Sequence, residues 1–126
     1  MLTTPISWQA PTVLPVVGKA TYYADGLMEQ VWTYRLQVGE VNSCQECIGA
    51  VATMHAGDIG RIVWVEYDNE VWGPFIVVDC ASFQDYPMLM ERGMVLEVPY
   101  WLAQRWKMAG PVDVKVVGRP AHNYLE

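Results

Sequence analysis

The chain is poor in positive charge. Eight Lys plus Arg stand against fourteen Asp plus Glu, for a net charge of −6 in 126 residues. No cluster of basic residues occurs anywhere, which excludes the cationic face that a nucleic-acid binder needs and disfavours attraction to an anionic membrane. Long apolar runs are also missing: nothing approaches the roughly 20 residues that span a bilayer as a helix. The start, Met1-Leu2-Thr3-Thr4-Pro5, has no basic region, and Pro5, Pro11 and Pro15 interrupt any apolar segment behind it, so no secretion signal is expected. Charged residues make up 17% and hydrophobic ones 52%, enough apolar surface for one packed domain and too much for a disordered chain.

Histidine and cysteine are few. His55 and His122 are too scattered to complete a zinc site with the lone C-x-x-C of Cys44 and Cys47, so no metal and no cofactor is expected. No βαβ pattern surrounds that motif to make it a redox centre. With Cys80 as the third cysteine, the expected use is one disulfide from Cys80 to either Cys44 or Cys47, if the protein works outside a reducing cytosol.

What is present reads mainly as short strands. Residues 1–17 are uncharged and spaced by prolines, an extended arm. A strand is expected at 19–23, ended by the turn pair Asp25-Gly26, and another over 31–38 (VWTYRLQV), rich in β-branched and aromatic residues. Residues 50–54 fit a short helix or a strand. RIVWVEY (61–67) and EVWGPFIVVD (70–79) flank Asp68-Asn69 as a hairpin, with a bulge at Gly73-Pro74. A short helix is expected over 85–92, a strand over 94–98 and a helix over 99–108, whose Leu102, Ala103 and Trp106 share one face. A last strand spans 112–117, and 118–126 form a tail. About six short strands with one or two short helices suggest a small β-barrel.

Several segments, in order, resemble the RlpA-like and expansin-like (barwin-related) double-psi β-barrels. Gly18-Lys19-Ala20-Thr21-Tyr22-Tyr23 is similar to their G-x-A-[ST]-[WY]-Y opening. His55 followed by Gly60 to Val65 resembles their histidine, turn and V-x-V strand, and Phe75 to Cys80 resembles the strand end that carries the family's aspartate. Val95 to Ala103 and Gly110 to Val114 resemble the later strand-to-helix step and the closing strand. The resemblance covers 18–117 and implies a six-stranded double-psi β-barrel. It departs where the usual D-R-G-P is Asp79-Cys80-Ala81-Ser82, closer to the D-x-C of barwin-like domains, and where Glu97 replaces an Asp.

The resemblance implies a protein active on cell-wall polysaccharide, most readily a peptidoglycan lytic transglycosylase, with Asp79 as general acid and then base and His55 beside it. The alternatives are an expansin-like domain that binds glycan without cleaving it, and a structural barrel in a larger assembly such as a phage tail. The location would be extracellular, cell wall or periplasm after processing, or virion-associated. Asp79 ends an apolar run, where desolvation should favour its protonated form; it is expected to open into a groove with His55 or Glu97 as its nearest titratable neighbour. The bland reading of Asp79 is a turn cap. Thr21, Tyr23, Asp25, Glu97 and Trp72 are candidates for substrate binding. Asp25-Gly26 is otherwise simply a turn, Thr21 and Glu97 ordinary strand residues, and Trp64 and Trp72 aromatic packing across the hairpin.

Overall fold

The computed structural model describes residues 4–120, with side chains from residue 7. Six strands among these residues close into a barrel: β1 (Val16–Tyr22), β2 (Gly49–Thr53), β3 (Ile62–Tyr67), β4 (Glu70–Cys80), β5 (Met94–Val98) and β6 (Val112–Val117). Around the barrel their order is β1-β5-β2-β4-β3-β6. The pairs β1–β5 and β2–β4 run parallel, and the other four pairs run antiparallel. Closure leaves no edge strand to recruit another chain.

Alternation divides the strand side chains between two apolar clusters. Val51, Val63, Val65, Phe75, Val77, Leu96, Val98, Val114 and Val116 form the main core, plugged by Leu102 and Ala103 of α4 (Tyr100–Arg105) and by Trp106 at its C-terminal cap. The helical face expected for this segment is therefore the buried one, and Gln104, Arg105 and Lys107 are exposed. Each fully buried Leu, Val or Phe contributes about 1.5–3 kcal/mol. On another face, Ala50, Ala52, Ile76 and Val78 pack with Met28 of a helix, α2 (Leu27–Gln37).

That helix corrects the strand expected over 31–38. Met28, Val31, Trp32 and Arg35 recur at helical spacing, so the segment can lay one face on the barrel; tertiary packing overrides the strand preference of its Val, Trp, Thr and Tyr. The strand that completes the barrel is instead β2, all five of whose residues are buried. Among the described residues there are four α-helices rather than one or two: α3 (Tyr86–Glu91) and α4 fall on the two expected segments, and α1 (Thr4–Gln9) and α2 are additional.

The hairpin forms as expected. Asp68 and Asn69 both take positive φ (53° and 67°), which matches the right-handed twist of β3 and β4. The bulge forms too: Val63 pairs with Phe75 but Val65 with Trp72, so Trp64 faces both Gly73 and Pro74. The arm is not wholly extended, because α1 occupies part of it. Trp8 donates its indole N–H to the Ala81 carbonyl at 2.8 Å, which fastens the arm to the barrel. Of the expected tail, residues 121–126 fall outside the described part.

Candidate functional site

Register places four residues in one line across four neighbouring strands. Thr21 of β1 pairs with Glu97 of β5, Glu97 with Ala52 of β2, and Ala52 with Asp79 of β4. Residues opposite one another across a ladder share a face, so the two carboxylates flank Ala52. Two strand spacings put their backbones roughly 10 Å apart. Leu96 and Val98, which flank Glu97, point into the main core, which turns Glu97 to the outside of the barrel; on the same side α2 packs on β2 and β4.

The two acids have different surroundings. Asp79 accepts a hydrogen bond from the Tyr23 hydroxyl at 2.7 Å and one from the Arg35 guanidinium at 3.3 Å. Arg35 is itself held by the Val78 carbonyl at 2.9 Å and by Glu40 at 2.5 Å. Glu97 has one neutral donor, the Thr21 hydroxyl, at 3.2 Å. Burial pushes the Glu97 carboxyl up from its ordinary value, the Thr21 hydrogen bond opposes this, and the charge of Asp79 adds to the rise. The Tyr23 phenol is pushed far up, by burial first and then by its bond to Asp79, so it remains a proton donor. The Cys80 thiol is also pushed up, by burial and by the neighbouring Asp79.

Of the residues singled out in the sequence, Thr21, Tyr23, Asp79 and Glu97 converge. The Asp79 side chain is 27% exposed, neither sealed in the core nor capped by backbone N–H groups. Its immediate neighbours are Tyr23 and Arg35 rather than His55 or Glu97. His55 turns the other way: its Nδ1 lies 2.7 Å from the Ser7 carbonyl and 3.0 Å from that of Ala10, and its ring meets Tyr86 edge-on at 5.1 Å. It anchors the arm. Asp25 is exposed in the turn before α2. Trp72 packs edge-on against Trp106 at 6.0 Å, with the Arg105 guanidinium 5.9 Å from its ring.

The disulfide also departs from expectation. Cys44 pairs with Cys47, with Cα atoms 5.4 Å apart, and Cys80 is the free thiol. Cys80 sits opposite Thr53 at the far end of β4, whereas the loop that carries the pair meets β4 at its middle, where the Ile48 N–H bonds the Pro74 carbonyl at 2.8 Å.

Two polar side chains that organise the barrel surface, Arg35 and Asp58, are not singled out by the sequence. Arg35 was hidden by the misassigned strand, although the 28, 31, 32, 35 spacing carried the signal. Asp58 is 1% exposed and accepts bonds from the Thr12 N–H (2.8 Å), the Thr53 hydroxyl (2.6 Å), Arg61 (2.7 Å) and the Thr12 hydroxyl. Burial alone would raise its pKa, but these donors outweigh it and hold the carboxyl below the usual range. Arg61 also bonds the Thr12 carbonyl at 2.8 Å, which closes the clamp on the arm. Arg61, three residues on, is the one charged partner nearby in sequence, whereas Thr12, which supplies two of the donors, lies 46 residues away.

Compared with known protein families, curated proteins and solved structures, the chain matches none.

Proposed function

We propose that this barrel acts on cell-wall polysaccharide through the Thr21–Glu97–Ala52–Asp79 line, with Glu97 as the proton-carrying acid and Asp79 as its charged companion. The observation that carries this reading is the unequal treatment of the two carboxylates. One acid with a cationic partner and one buried with a neutral donor can divide the roles of charge stabiliser and acid between them. Asp79 is bonded by the Arg35 guanidinium and the Tyr23 hydroxyl, whereas Glu97 has a single neutral donor and burial favours its protonated form.

In a lytic transglycosylase reaction Glu97 gives its proton to the leaving glycosidic oxygen as the bond to the anomeric carbon breaks. The negative charge of Asp79 stabilises the oxocarbenium-like centre. The Glu97 carboxylate then takes the proton of the sugar's own primary hydroxyl, whose oxygen closes an anhydro ring on the anomeric carbon. Asp79 thus yields the acid role that the sequence suggested for it. The parallel β1–β5 and β2–β4 pairs support the double-psi reading of the barrel.

The experiment is digestion of purified sacculi. Wild-type protein should release anhydro-muropeptides, and Glu97→Gln should release none while keeping its circular dichroism. No product from wild type, or equal product from Glu97→Gln, overturns the proposal. A second reading, binding without cleavage, is favoured by one observation: Ala52, between the two acids, is fully buried in a cluster to which Tyr23 also belongs. That reading expects retention on sacculi with no soluble product.

A further inference from the structure

Two open clefts meet at one tryptophan, away from the acid line. One, of about 600 Å³, lies beside the hairpin and is lined by Asn69, Glu70, Trp72 and Gly73. The other, of about 390 Å³, lies between the disulfide loop and the β3–β4 face and is lined by Asn42, Ser43, Glu46 and Ile76. Trp64 belongs to both.

The ring is seated by the backbone. Gly73 has φ +140°, and a Cβ there would stand 2.7 Å from Trp64 Cδ1, so only glycine lets the indole lie against this strand. Trp72 has turned to Trp106, which leaves Trp64 as the aromatic shared by the two clefts. The polar groups around it are amides, a hydroxyl and two carboxylates, and neither lining contains Lys or Arg.

We propose that Trp64 is the central platform of a binding site for a neutral glycan chain. A flat indole presents an apolar face with a negative quadrupole, which suits the C–H-bearing face of a pyranose ring. Asn42, Ser43 and Asn69 supply donors and acceptors for the equatorial hydroxyls on either side. Glu46 and Glu70 accept from hydroxyls and disfavour a free carboxylate or sulfate at the ring, so the site takes neutral sugars, N-acetylated ones of a cell-wall backbone included. A cleft that continues on both sides of the ring fits a linear chain rather than a single sugar. The assignment deepens the polysaccharide reading and rests on it, but it is separable: this site binds, and the acid line cleaves.

Titration calorimetry with chitotetraose and cellotetraose, and with a polygalacturonate oligomer as the anionic comparison, tests it. Wild-type protein should bind at least one neutral oligosaccharide and not the anionic one. Trp64→Leu should weaken that binding about tenfold or more, whereas Trp64→Tyr, which keeps a flat ring, should stay within about threefold. Equal urea midpoints for the variants show that the fold is kept. Unchanged binding by a folded Trp64→Leu overturns the inference and leaves the cleavage proposal standing. Trp64-dependent binding without any product from sacculi overturns cleavage and leaves this site standing. No binding of either neutral oligosaccharide by wild type, or tighter binding of the anionic one, overturns the inference.

Discussion

Replacing Asp58 with Asn should be among the costliest single changes outside the apolar core. The side chain is buried and surrounded by four donor groups: the Thr12 N–H, the Thr12 and Thr53 hydroxyls and the Arg61 guanidinium. An amide keeps the shape but offers one oxygen in place of two, and its NH₂ then faces a donor. Leaving a buried donor unsatisfied costs about 1–3 kcal/mol, and removing one partner of a buried ion pair costs about 3–5 kcal/mol. Arg61 retains some solvent, so the lower part of that range applies, and a total loss of about 3–4 kcal/mol is expected. Against a typical stability of about 5–15 kcal/mol this is a large fraction. Urea unfolding at pH 7 measures it as a fall in midpoint at constant slope, with Asp25→Asn as an exposed comparison that should change by less than about 0.5 kcal/mol.

The same group sets an acid limb. Its folded pKa lies below the unfolded value, so the stabilisation is complete above about pH 4 and is lost as pH falls through the folded value. The midpoint of Asp58→Asn should therefore vary less with acid than that of wild type. A loss below about 1 kcal/mol at neutral pH, or identical acid limbs, would refute the account of the clamp.

Other outcomes follow from the same geometry. Any glycan cleavage should fall as pH rises through the raised Glu97 value, because the acid form does the work; a rate that climbs over that range contradicts this. Thiol titration of the native protein should find one slowly reacting group, Cys80, and three groups after reduction, and three without reductant would remove the Cys44–Cys47 bridge. Gly73→Ala should cost about 1–3 kcal/mol through its positive φ and should displace Trp64; a change below about 0.5 kcal/mol would show that the strand relaxes freely. Phe75→Ala, in the centre of the core, should cost about 3–5 kcal/mol, read from the same urea curves.

Much of the barrel was legible because its signals are local. Asp68-Asn69 between two apolar strands specifies a hairpin, Gly73-Pro74 a bulge, and Leu102, Ala103 and Trp106 the buried face of a helix. The α2 segment was not legible from propensity, since its Val, Trp, Thr and Tyr favour strands while its 28, 31, 32, 35 spacing favours a helix, and packing on the barrel decided between them. The site was legible in part. Thr21, Tyr23, Asp79 and Glu97 stood out one by one, but their alignment depends on register between strands up to 76 residues apart in sequence. Arg35 is hidden by the strand preference of its segment, Asp58 by its partner Thr12 lying 46 residues away, and His55 stands not beside Asp79 but against carbonyls of the arm. The nearby cysteines paired with each other because the loop brings them together and β4 carries Cys80 elsewhere.

The central claim is that the barrel holds two carboxylates across Ala52, Asp79 bonded by Arg35 and Tyr23 and Glu97 buried beside one neutral donor. Carbon-13 titration of the Glu97 side-chain carboxyl tests it most directly, in wild type and in Asp79→Asn. Glu97 should titrate above the ordinary glutamate value of about 4.3 and move down when the charge of Asp79 is removed. A Glu97 carboxyl that titrates at or below the ordinary value, unmoved by Asp79→Asn, would contradict the account.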